Sequence, residues 1–185
     1  MSPNGKRADA SRNSARLLAA AREVLAESGN DAAFDLIARR AGVGNATLYR
    51  HFPTRADLLV AVYADEVEAL CRRGGELLTS AEPVEALFAW LDEFVVHVAT
   101  KRPLALAAPE ERRSTLFRQW HESINSTAAG LVERARPELR PGVVTADILT
   151  LASGAALATD VSHARRLVVL LRNGVSADGG PATRG

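Results

Sequence analysis

DLIARRAGVGNATLYRHF, residues 35–52, is the stretch on which the reading of the chain turns. Ile37 and Ala41 lie four apart, which predicts one buried face of a short helix over residues 35–41. Gly42 ends that helix and tolerates the left-handed backbone a turn needs. Val43 is spaced to plug the turn from inside, and Gly44 to act as a permissive N-cap. A second short helix runs from Asn45 to His51 or Phe52, with Leu48 and Phe52 four apart on its buried side. At about 100° per residue, Ala46, Thr47 and Arg50 fall on the opposite side, with Tyr49 and His51 on the two edges of the buried stripe. Two short helices joined this way make a helix-turn-helix, whose second helix enters the major groove of DNA. The ridge faces base edges, where Arg50 has either a guanine or a phosphate within its chemistry. The phenol, imidazole and hydroxyl of Tyr49, His51 and Thr47 suit phosphates. Outside such a pattern, Tyr49 would be packing against the first helix and His51 a helix-end residue.

Working outward, GVGNATLYRHFPTRADLLVAV (residues 42–62) resembles the hallmark of the TetR family, the tetracycline-repressor-like transcriptional regulators. The likeness extends from Ser14 to about Tyr63. It implies DNA contacts from Asn45, Ala46, Thr47, Tyr49, Arg50, His51 and Arg55, with Arg55 where the family usually has lysine. Two departures stand out. Gly44 replaces a usual serine or threonine cap. Ala33-Phe34 replaces a common hydroxyl residue, which makes Arg39 the candidate for the phosphate contact at that end.

Upstream, Leu17, Leu18, Ala21, Val24 and Leu25 predict a helix with one buried face, capped at Ser11 or Asn13 and stopped by Gly29-Asn30. Residues 1–10 have no apolar period and read as a disordered arm. Downstream, Thr54 and Asp57 have capping-box spacing, and Leu58, Leu59, Val62, Tyr63 and Leu70 predict a helix to about Arg73, ended by Gly74-Gly75. Further helices are expected from Pro83 until Lys101-Arg102-Pro103, as a short piece at 104–108, and over 110–135, 143–159 and 160–172. Residues 175–185 read as disordered. The expected fold is all-α with about nine helices. A helix-turn-helix DNA-binding domain spans 11–55, and a helical ligand-binding and dimerisation domain spans 56–174.

Charge and composition bound the rest. The formal net charge is only +1, but residues 1–62 carry nine basic against six acidic side chains, a net +3 that suits a nucleic-acid-binding end. Cys71 is the single cysteine, so neither an intramolecular disulfide nor a cysteine-rich zinc site is available. His97, His121 and His163 lack the i, i+4 partner of a helical metal site. No nucleophile, base and orienting acid stand together, so no catalytic residue, metal or cofactor is expected. The absence of a signal-peptide pattern and of an apolar run of about eighteen residues points to a cytoplasmic protein without a membrane span.

In the second half, Trp90, Phe94 and His97 follow i, i+4, i+7, and Phe117 and Trp120 begin another stripe. Such aromatics are either core or the walls of an apolar pocket with a few polar groups. AWLDEFVVHVATKRPLA (residues 89–105) resembles the SbtR-like subgroup, and the family likeness favours a small-molecule pocket lined by Trp90, Phe94, His97, Phe117 and Trp120. The segment at 143–159 is rich in small residues, and Leu167 to Leu171 gives the next more apolar surface than one face needs. These two segments are expected to pair a homodimer. The expected function is a ligand-responsive regulator, a repressor that binds a palindromic double-stranded operator and is released by a small molecule. The rivals are a small-molecule-binding or catalytic protein with a vestigial helix-turn-helix, and a DNA binder without a ligand.

Overall fold

The computed structural model describes residues 3–29, 32–106 and 110–177, with side chains at 12–29, 32–100 and 115–177. The order is α1 (Pro3–Ser28), α2 (Phe34–Ala41), α3 (Asn45–His51), α4 (Arg55–Leu77), α5 (Pro83–Leu106), α6 (Glu110–Ala135), a 3-10 turn (Arg136–Glu138), α7 (Thr145–Ala155) and α8 (Val161–Val175). Among the described residues the only extended pairing is an isolated antiparallel bridge between Leu139 and Ser176. The expected all-α fold is what forms. No helix among the described residues is long and apolar enough to cross a membrane.

The chain divides into two compact units, residues 1–65 with 103–114 and residues 66–102 with 115–185. The boundary falls inside α4 rather than at the expected 55/56, because the first turns of α4 send Leu58, Leu59 and Val62 into the first unit's core. That core also takes Leu17, Ala21 and Val24 from α1, Ile37, Ala38 and Ala41 from α2, and Leu48 from α3. In the second unit, Trp90, Leu91 and Val95 of α5 are buried, as are Leu131 of α6, Ile148 and Ala152 of α7, and Ala164 and Val168 of α8.

Several boundaries differ from expectation. α1 begins at Pro3, so most of the segment read as a disordered arm is helical. Proline suits a first turn, and the Lys, Arg and Ala that follow are good helix formers even without an apolar stripe. α5 passes through Pro103 to Leu106, where the lost hydrogen bond falls in the last turn. The separate piece at 104–108 is therefore absent as far as Leu106, and residues 107–109 lie outside the description, as do residues 178–185 of the tail. The segment at 143–159 is helical only over α7, and α8 runs on through Asn173-Gly174 to Val175. Asp160 caps α8, accepting a hydrogen bond from the His163 amide at 2.8 Å.

The most informative difference is at Gly74-Gly75, which does not end α4; the helix continues to Leu77. A Cβ on Gly74 would run into Thr127 Cγ2 and lie 3.0 Å from Trp90 Nε1. The glycine is a close-approach point, not a stop. Thr127 cannot easily swing its methyl away, because its hydroxyl donates to the Ser123 carbonyl at 2.9 Å. Gly74→Ala is therefore expected to destabilise by about 1–3 kcal/mol through overpacking, despite alanine's better helix propensity. Thr127→Ser in the same background should restore most of it by removing the methyl. Thermal melts followed by circular dichroism check this. A Gly74→Ala melt at or above the parent's would show that the contact does not constrain the position.

Surface ion pairs tie elements within each unit. In the first, Arg40 of α2 donates to Glu27 of α1 at 2.9 and 3.1 Å and to Glu23 at 3.2 Å. The guanidinium holds the Glu27 carboxyl below its usual range. In the second, Arg172 of α8 forks onto Glu85 of α5, with its guanidinium 5.7 Å from the Phe88 ring centroid. Hydrogen bonding to Arg172 lowers the Glu85 pKa in turn.

Candidate nucleic-acid interface

The turn between α2 and α3 has the geometry its glycines require. Gly42 adopts φ 66°, ψ 35°, a left-handed C-cap whose amide reaches back to the end of α2. The Val43 amide donates to the Ala38 carbonyl at 3.0 Å, and Val43 packs partly buried on the core. Gly44, at φ −75° and ψ 152°, is the extended N-cap of α3, with no side chain to accept from the first-turn amides. Leu48 is fully buried and Phe52 nearly so, which anchors the inner side of α3. Thr54 and Asp57 close the reciprocal cap of α4. The Asp57 carboxylate accepts from the Thr54 amide and hydroxyl, and the Thr54 hydroxyl accepts from the Asp57 amide.

The outer side of α3 carries the expected residues. Asn45, Ala46, Tyr49 and Arg50 are exposed, whereas Thr47 and His51 are half-buried. Tyr49 is 52% exposed, more open than an edge position suggests, and its ring lies 5.4 Å from that of Phe34. The His51 ring lies 6.2 Å from Phe52. Among the described residues no side chain pairs with Arg50, so its guanidinium is available to an outside anion.

The two remaining arginines differ from this group. Arg39 is highly exposed but bridges Asp35 one turn back at 3.3 Å, a pair that solvent readily loosens. Arg55 is half-buried and turned into the protein. Its Nη1 donates to the Ala32 carbonyl at 2.8 Å, and its guanidinium sits 5.8 Å from the Phe34 ring centroid. Two residues not singled out from sequence also belong to this region. The Arg16 guanidinium of α1 overlies Gly42, with Nη2 2.9 Å from where a Cβ would stand. Phe34, noted only as a departure from a hydroxyl residue, touches both Tyr49 and Arg55. Neither contact has a local sequence signal, because each joins residues on different helices.

Residues 17–62 match the profile of the bacterial regulatory proteins of the tetR family, and residues 82–177 that of the SbtR-like transcriptional regulator C-terminal domain. A TetR transcriptional regulator from Streptomyces coelicolor is 34% identical, covering 88% of this chain and 98% of its own, with a TM-score of 0.73. A TetR transcription regulatory protein from Mycobacterium vanbaalenii is 32% identical over 92% of this chain and 98% of its own, also with a TM-score of 0.73. The chain belongs to the TetR family. TetR-family regulators are ligand-responsive DNA-binding repressors, non-enzymatic, which function as dimers with small-molecule effectors. A more distant relative, FadR from Bacillus subtilis solved with stearoyl-CoA, shares the fold at 18% identity and a TM-score of 0.59, covering 90% of this chain and 98% of its own.

In this TetR-family chain the five aromatic and imidazole candidates of the second unit differ in burial and partners. Trp90 is fully buried, donates from Nε1 to the Leu70 carbonyl at 3.0 Å, and stacks on Phe94 at 5.5 Å with the rings 12° apart. Phe94 and Trp120 are also buried, while Phe117 is half-buried, 5.7 Å from Trp120 and 6.1 Å from His121 between ring centroids. His97 is buried to 6% exposure, yet it lines an open cleft of about 250 Å³ with Glu66, Leu70, Glu93, Val96 and Arg165 among its walls. Among the described residues no group of three or more His, Cys, Asp or Glu is arranged to hold a metal ion.

Proposed function

We propose that this TetR-family regulator binds a palindromic double-stranded operator as a homodimer, through one α3 from each copy. The supporting observation is the outer face of α3, where Asn45, Ala46, Tyr49 and Arg50 are exposed over the buried Leu48. Arg50 reads base edges, and Ala46 lets the helix come close. Thr47 shares the reading ridge, Tyr49 and His51 clamp the phosphate walls, and Asn45 adds a further DNA contact. Arg39 lends a secondary phosphate contact once its exposed bridge to Asp35 opens. Arg55 acts from inside, tying the start of α4 to the segment before α2.

Pairing runs through the segments at 143–159 and 160–172, supported by the exposed Leu151, Leu157, Val169 and Leu170. A twofold axis sets two short reading helices about 34–36 Å apart, one per half-site. The functional division follows the two units, the first binding DNA and the second serving ligand binding and dimerisation. The effector is a small molecule held in the second unit, with His97 as its polar contact and Phe117, Trp120, Trp90 and Phe94 as the apolar wall and its backing. Its binding favours a wider separation of the reading helices, a population shift that lowers operator affinity. The protein works in the cytoplasm and catalyses no reaction.

Two substitutions separate reading from clamping. Arg50→Ala should relax sequence preference at one operator position by about 1–3 kcal/mol. Tyr49→Phe should weaken specific and unrelated duplexes alike, by about fivefold to tenfold, through loss of one hydrogen bond to phosphate. Fluorescence anisotropy with the DNA upstream of the gene, against a random duplex and across salt concentrations, measures both. Equal behaviour of the two variants refutes the division of roles. Unchanged operator affinity when a small molecule demonstrably occupies the second unit refutes the release mechanism.

A further inference from the structure

α2 starts without a side-chain cap: Ala33 is its N-cap at φ −70° and ψ 139°, and its side chain offers no acceptor to the first-turn amides. The next residue, Phe34, is large and only partly buried, packed on the edge of the first unit's core. Its ring meets two groups from other helices. The Tyr49 ring of α3 lies 5.4 Å away at 44°, a tilted aromatic contact, and the Arg55 guanidinium of α4 lies 5.8 Å from the ring centroid. Arg55 is itself fixed by its 2.8 Å hydrogen bond to the Ala32 carbonyl, so the backbone just before α2 is tied to the first residue of α4. The ring of Phe34 is thereby held from two sides of the sequence. Tyr49 is 52% exposed, and Phe34 is the ring it rests against.

An exposed tyrosine on a seven-residue helix ordinarily samples several rotamers, and ordering it on DNA costs entropy. A ring contact of this kind narrows that sampling before DNA arrives. We propose that Phe34 is a positioning residue of the DNA face: its ring, anchored through Arg55, pre-orients the Tyr49 phenol for its phosphate contact. This rests on the reading of Tyr49 as a phosphate contact, and the test separates the two.

The test uses the full-length protein, a random-sequence duplex at low salt and the variants Phe34→Leu, Phe34→Tyr, Tyr49→Phe and Phe34→Leu with Tyr49→Phe, each with a thermal melt. Phe34→Leu keeps apolar volume and removes the ring, and it is expected to weaken binding about threefold to tenfold, comparable to Tyr49→Phe. Phe34→Tyr keeps the ring and should bind like the parent. The double variant should bind no more weakly than Tyr49→Phe alone, because the ring acts only through the phenol hydroxyl. Parent-like binding by Tyr49→Phe overturns the phosphate-contact reading and the proposal with it. If Tyr49→Phe is weak, the positioning role alone falls on any of three results. These are parent-like binding by Phe34→Leu, a double variant showing the product of both losses, and equal weakening by Phe34→Tyr and Phe34→Leu. Should Phe34→Leu melt below the assay temperature, Phe34→Tyr decides. Binding like the parent supports the role of the ring, and weakening of a folded Phe34→Tyr overturns it.

Discussion

Leu170→Glu is expected to raise the dimer dissociation constant at least about a hundredfold, and operator affinity should fall with it. Leu170 is 63% exposed on α8, beside Val169 at 57%, while Leu151 of α7 and Leu157 just beyond it are 55% and 69% exposed. A folded chain that leaves four large apolar side chains in water on and beside its last two helices gains about 1.5–3 kcal/mol for each one fully buried by a partner. On a twofold axis each substitution acts twice, and a carboxylate buried without a cation must be desolvated. The loss for DNA follows from halving the number of reading helices that dock together. Sedimentation velocity and anisotropy measure the two effects on one sample. The intramolecular side of α8 rests on Ala164 and Val168, which the substitution leaves alone, so the monomer should stay folded. A variant that still sediments as the parent's dimer at nanomolar concentration would exclude this face as the interface.

Trp90→Ala is expected to cost about 3–5 kcal/mol, which in a chain of this size lowers the melting temperature by about 10 °C or more. Trp90 is fully buried, stacked on Phe94, hydrogen-bonded to the Leu70 carbonyl, and covered by the Cβ-less face of Gly74. Alanine removes the stacked ring and leaves a cavity where α4 and α5 meet within the second unit. Trp90→Phe keeps most of the ring and removes the indole N–H, and it should cost less, about 1–2 kcal/mol. The pair separates packing from hydrogen bonding, and it bears on how the effector is held. If Trp90 is a wall that ligand touches directly, Trp90→Phe changes effector response by more than its loss of stability accounts for. If it only backs the site, effector response follows stability. A Trp90→Ala melt within about 1 kcal/mol of the parent would remove Trp90 from the core.

The helix-turn-helix was legible from residues 35–52 because its determinants are local. The spacing of Ile37, Ala41, Leu48 and Phe52 and the left-handed Gly42 act within a few residues of one another, and the structure agrees on α2 and α3 to within a residue. The cap Thr54 was equally readable, being a side chain three residues from the amide it serves. Boundaries were lost where a local signal carried a distant meaning. Gly74 looked like a helix stop, and only Thr127 and Trp90 opposite it make it a packing site.

Sequence by itself therefore determined an all-helical chain with an exposed recognition helix, since periodicity and turn chemistry are properties of short segments. Tertiary structure alone decided what each side chain of that face is free to do. Arg55 is committed to the Ala32 carbonyl, Arg40 to Glu23 and Glu27, and Phe34 to Tyr49, while Arg50 is left open. The physical reason is that a charged or aromatic group takes its role from the nearest partner in space. In each of these contacts that partner lies on another helix or in the segment between helices, where no sequence period reaches.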